Sequence, residues 1–95
     1  MPRFLIEVTH PAEQVACAKV VKIFLESGSH LLTHADWGCM DGDHRSWMIV
    51  DVSDKHEAMG IVPPALRHAA RITGLNQFSI TQIDAILAKH TAPGA

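Results

Sequence analysis

The sequence predicts an α+β domain, a four-stranded antiparallel sheet with helices over one face. Three observations predict it. Residues 3–9 alternate apolar and polar side chains, residues 10–28 carry a helical apolar stripe, and Asp41-Gly42 separates two further strand-like runs.

The first run, "RFLIEVT", puts Phe4, Ile6 and Val8 on one face and Arg3, Leu5, Glu7 and Thr9 on the other, the pattern of a half-buried strand. "HPAEQVACAKVVKIFLESG" reads as a helix, with Pro11 suited to its first position, Glu13 to its first turn and Gly28 to its end. His10 is placed to cap it. Ala16, Val20 and Phe24 form one apolar row, and Cys17, Val21 and Leu25 the adjoining one. Residues 30–40 and 44–52 read as a hairpin around "DGD". A second helix opens at "SDKHEAM", capped by Ser53 or Asp54 with Glu57 reaching back, and Pro63-Pro64 ends it near Val62. A short helical turn, "PALRH", follows. "ARITGLNQF" reads as a strand with a bulge or bend at Gly74, and "SITQIDAILAKH" as a last helix capped by Ser79 or Thr81. Residues 1–91 thus form one domain, and residues 92–95 read as a flexible tail. The order β-α-β-β-α-β plus a C-terminal helix is the split βαβ, or ferredoxin-like, arrangement.

Composition narrows the function. A formal net charge of −2 provides no basic field for a phosphate backbone, so no nucleic-acid partner is expected. No run approaches the ~18 apolar residues that suggest a membrane span. Two cysteines form no framework of paired thiols, and the start lacks the pattern of a secretory leader; the expected compartment is the cytoplasm. CxxC, Gly-rich phosphate loops, HExxH and GxSxG are all absent from the sequence.

If Asp41-Gly42 is a two-residue turn, paired residue numbers across the hairpin sum to 83. Trp37 then opposes Ser46, Ala35 opposes Met48 and Cys39 opposes His44. The helix-facing side becomes Phe4, Ile6, Val8, Leu31, Ala35, Cys39, Met48, Val50 and Val52. The open side carries Arg3, Leu5, Glu7, Leu32, His34, Asp36, Arg45, Trp47 and Ile49. That side is too apolar for a bare surface and too polar for a core, so a second copy of the sheet is expected to cover it, leaving a polar pocket.

Two clusters are candidate sites. His34 and Asp36 lie two residues apart on one strand face, about 6.6 Å between Cα atoms, within reach of one metal or one substrate. An imidazole beside a carboxylate is also a general base with its orienting partner. Glu7, Arg45 and Trp47 surround them as a ligand pocket, whereas His30 would lie about 13 Å along the strand from His34. Cys39 and His44 form the rival metal pair, opposed at about 4.5–5.5 Å between Cβ atoms. Imidazole, carboxylate and thiolate donors suit nickel, zinc or copper. Cys17 reads as core.

The element order, the length and the mixed sheet face resemble the dimeric α/β-barrel proteins, over residues 2–79. These include the muconolactone isomerase-like, YCII-like and antibiotic-biosynthesis-monooxygenase-like families and small nickel-binding proteins of the same fold. The resemblance implies a homodimer joined through the sheet faces, with a metal or small polar ligand in the barrel. Three functions follow as alternatives. The first is metal or small-ligand binding. The second is a cofactor-free isomerase, lyase or monooxygenase with His34 and Asp36 as its acid–base pair. The third is a non-catalytic interaction or stress-linked domain.

Overall fold

The computed structural model describes residues 1–90. The tail read at residues 92–95 lies outside them. The chain folds into strand β1 (Arg3–Thr9), helix α1 (Gln14–Glu26), a one-turn helix α2 (His30–Thr33), a two-residue strand β2 (Asp36–Trp37) and strand β3 (Arg45–Asp51). Helix α3 (Lys55–Ile61), a 3-10 segment (Pro64–Ala69), strand β4 (Ala70–Leu75) and helix α4 (Ile80–His90) complete it. The four strands make one antiparallel sheet in the order β2-β3-β1-β4. The architecture is therefore α+β, with a four-stranded antiparallel sheet, as the alternation of residues 3–9 and 45–51 predicts.

β1 is one of the two inner strands, and its alternation decides the two faces. Phe4, Ile6 and Val8 are buried with Met48 and Val50 of β3 and with Val52 just beyond it, and Val20 and Phe24 of α1 pack onto them. Ala58 of α3 and Val62 close the same core. α1 begins at Gln14 rather than at Pro11, and Gly28 follows its end as expected. α3 is capped as the sequence predicts: the Asp54 carboxylate accepts from the Glu57 backbone N–H, and Glu57 in turn accepts from the Ser53 N–H. Ser79 and Gln82 exchange equivalent bonds at the start of α4. None of the residues of α4 is buried, so its apolar stripe stays open.

Two further expectations fail. Residues 30–33 are helical, because Ser29 caps them by accepting the Leu32 N–H, where extended pairing had been expected. A helical turn rotates side chains by about 100° per residue instead of flipping them. Leu32 is therefore the buried residue and Leu31 the exposed one, the reverse of the strand reading. Gly74 makes no bulge: β4 pairs with β1 without interruption from Arg3↔Leu75 to Val8↔Ala70.

Candidate metal centre

The hairpin register follows the sum of 83, with Asp36↔Trp47 and Trp37↔Ser46 paired and Gly38 N–H donating to the Arg45 carbonyl. Pairing stops there. Cys39–Asp41 forms a 3-10 turn, Gly42 turns the chain back with φ 83°, and the Asp43 N–H bonds to the Gly38 carbonyl. Cys39 and His44 thus sit on a loop rather than on facing rungs.

β1 supplies the next component. Its pairing with β3 runs to Thr9↔Arg45, and the His10 N–H continues the ladder by donating to the His44 carbonyl at 3.0 Å. This sets the two imidazoles side by side, 5.6 Å between centroids and nearly perpendicular. α1 supplies the last. Cys17 lies on the stripe of Val20 and Phe24, one turn nearer the N-terminus, so docking of those two side chains carries its sulfur over the loop.

The result is a four-donor group. The donor atoms of His10, Cys17, Cys39 and His44 all lie within 4.8 Å of one another. His10 Nε2 is 3.1 Å from Cys39 Sγ, and the two sulfurs are 3.2 Å apart. A regular tetrahedral zinc cage built from ordinary Zn–S and Zn–N bonds needs edges of roughly 3.3–3.8 Å. The two short contacts lie just below that range, and the widest separation in the group, up to 4.8 Å, lies about 1 Å above it, so loading an ion requires small side-chain shifts.

The electrostatics fit a cation. Burial, and then the nearby His44, hold the pKa of His10 below the usual histidine value, so its ring is neutral and ready to donate a lone pair. Burial raises the pKa of Cys39, and contact with Cys17 raises it further. Ionising that thiol without a cation beside it is unfavourable. The Nδ1 atom of His44 is buried with no hydrogen-bond partner among the described residues, and a buried polar atom left in this way calls for an ion or a water. These residues fit a transition metal.

Trp37 holds the group against the core. Its ring meets Phe24 edge-on at 4.8 Å and His10 at 5.8 Å. Gly38 locks the loop from the other side: a Cβ there would fall 2.6 Å from the Asp43 carbonyl oxygen and 2.7 Å from the Trp47 ring. Gly38→Ala is therefore expected to cost about 1–3 kcal/mol of stability, the scale of overpacking, and to weaken metal binding. Urea denaturation with a metal titration of the variant reads both.

The other predicted site residues lie across the sheet. His34 ends α2 instead of lying in a strand, and its Nδ1 bonds to the His30 carbonyl at 2.8 Å and contacts the Thr33 hydroxyl at 3.3 Å. His30, expected far along a strand, lies against it with ring centroids 4.4 Å apart and the planes tilted by 51°, because four residues of helix return to the same side. His34, Asp36 and Trp47 do border one depression on the open face, together with Leu5 and Ile49. Arg45 grips Asp43 through two hydrogen bonds of 2.7 Å, stands 3.9 Å from Glu7 and lies over the Trp47 ring.

Of the four donors, the sequence reading singled out Cys39 and His44 and missed His10 and Cys17. The signal for His10 was the β1–β3 register, in which His10 falls opposite His44. The signal for Cys17 was its place on the stripe that also carries Phe24. Comparison with protein-family models, with curated proteins and with solved structures returns no match for this chain.

Proposed function

We propose that this protein is a zinc-binding module in which Cys17 and Cys39 as thiolates and His10 and His44 as neutral imidazoles hold one ion per chain. The observation that carries the reading is the convergence of four donors from three separate segments within 4.8 Å. Two sulfurs and two nitrogens in a near-tetrahedral set are a zinc donor set, with nickel and copper as the competitors. Catalytic zinc keeps one position open for water, whereas four protein ligands fill the shell. The ion accordingly serves to tie β1, α1 and the hairpin loop together, or to report metal, and not to turn over a substrate.

The ferredoxin-like connectivity belongs to the same proposal, as does a homodimer joined through the open sheet faces. Ile49 is 60% exposed there beside Leu5 and Trp47, and α4 carries Ile80 and Ile86 uncovered. The depression bordered by His34, Asp36 and Trp47 would then be a small-ligand pocket under the partner sheet. A cytoplasmic location, where thiols stay reduced, belongs to the same proposal.

The test is elemental analysis of tag-free protein purified without chelator, alongside His44→Ala and His34→Ala, with sedimentation of the same samples. About one zinc per chain is expected, lost in His44→Ala and kept in His34→Ala, on a dimer. Metal lost only in His34→Ala would move the site to the open face. No metal in the wild type, even after loading with zinc, would overturn the reading.

A further inference from the structure

We infer that the sulfur pair of this centre is a disulfide switch, in which a peroxide joins Cys17 to Cys39 and so discharges the ion. The inference rests on the metal reading for its second half. It stands on the position and exposure of the two thiols and on the composition of the donor set.

The sulfurs are 3.2 Å apart before any reaction. A disulfide needs about 2.05 Å, so the remaining approach is on the order of 1 Å. Cys17 is fixed by a helix of 13 residues. Cys39 rides on a single 3-10 turn between Gly38 and Gly42, a segment held by local hydrogen bonds rather than by a ladder. The approach therefore falls to Cys39, whose turn is not tied into the sheet ladder. Both side chains are partly exposed, which gives a small oxidant access. The chain has no third cysteine, so no other intramolecular disulfide competes.

The chemistry balances with hydrogen peroxide as the oxidant. One thiolate attacks a peroxide oxygen, the O–O bond breaks, and a sulfenic acid and a first water result. The second thiolate then attacks that sulfur, forms the S–S bond and expels the oxygen as a second water. Two protons are taken up, two electrons pass from the sulfurs to the peroxide, and the zinc ion leaves. A disulfide is a poor ligand, so one event removes both anionic donors and leaves only His10 and His44. Two imidazoles do not retain the ion, and a dithiol reductant restores both thiols and the site.

The test treats the zinc-loaded full chain with a small excess of hydrogen peroxide. Released zinc is followed with a chromogenic chelator, free thiols by titration, and the intact mass without reduction. The expected result is one zinc released for every two thiols lost, with a monomer mass lighter by two hydrogens. Dithiothreitol then restores zinc binding. Cys17→Ser should gain oxygen on Cys39 instead and form no intramolecular bond. Zinc release accompanied by oxygen addition in the wild type, or by a bond between chains, overturns the inference and leaves the metal reading intact. Zinc retained at full thiol titre does the same. Metal-free His44→Ala keeps both thiols and reports on them independently. If they join there while the wild type never holds zinc, the metal reading and the switch both fall, and a plain redox-active thiol pair remains.

Discussion

Removing the ion with a chelator is expected to lower the melting temperature by roughly 11–22 °C when the loaded sample holds free zinc at about 100 times its dissociation constant. At that excess, linkage adds about 2.7 kcal/mol to the folded state, and a domain of this size shifts about 4–8 °C per kcal/mol. The effect requires that the ion bind the folded chain and not the unfolded one. The donors meet that condition, because residues 10, 17, 39 and 44 come together only when α1, β1 and the hairpin loop are docked. Cys39→Ala should abolish the shift, since three donors of mixed type hold the ion far less tightly. The pH dependence has a definite sign. Zinc displaces protons from the thiols, so its contribution fades as the solution is acidified. The metal-free protein follows the same direction. The pKa of His10 is depressed in the folded state, so the unfolded chain binds more protons near and below the ordinary histidine range, and stability falls as pH drops through it. Melting curves with and without chelator across that range check both. A shift that grew toward acid would contradict the ligand assignment.

Phe24→Ala should cost about 3–5 kcal/mol, the range for truncating a buried aromatic. For a 95-residue domain with a total stability of roughly 5–14 kcal/mol, that is a large share. Phe24 is fully buried between the sheet and Trp37. Its loss opens a cavity and also removes the ring that Trp37 leans on, and Trp37 in turn packs against His10. The variant should therefore lose metal affinity along with stability, although Phe24 is not itself a donor. Leu25→Ala supplies the control on the same helix. Its side chain is 56% exposed, and a surface truncation typically falls within about 0.5 kcal/mol. Urea denaturation followed by tryptophan fluorescence separates the two. A Phe24→Ala protein as stable as Leu25→Ala would mean that α1 does not anchor the core.

Most of the architecture could be read from local pattern, because each element's signal is local. Asp54 and Glu57 cap α3, Pro63-Pro64 stops it, and the alternation of β1 and β3 sorts the core from the open face. The segment at residues 30–33 departs from the extended form because two local signals compete there. "HLLTHADW" can be threaded as an extended run, yet Ser29 is a good N-cap, and one turn of helix buries Leu32 better. The metal centre was half legible for a different reason. Cys39 and His44 are close in sequence, so a hairpin pairing brings them to attention. His10 and Cys17 reach the site only through the β1–β3 register and the docking of α1, which are long-range relations. On its own, a cysteine on an apolar helical stripe has the pattern of a core residue, and a histidine before a helix has the pattern of a cap.

The two-residue length of β2 also governs what the molecule can do in company. An outer strand with many free N–H and C=O groups is a template on which another chain can extend the sheet. β2 offers too few rungs to nucleate such growth, and the chain leaves the sheet plane on both sides of it, into α2 and into the 3-10 turn. The sheet therefore has one blunted border and one continuous border, β4, with six residues. Strand-by-strand self-templating of this protein would start at Ala70–Leu75, on the border farthest from the metal ligands.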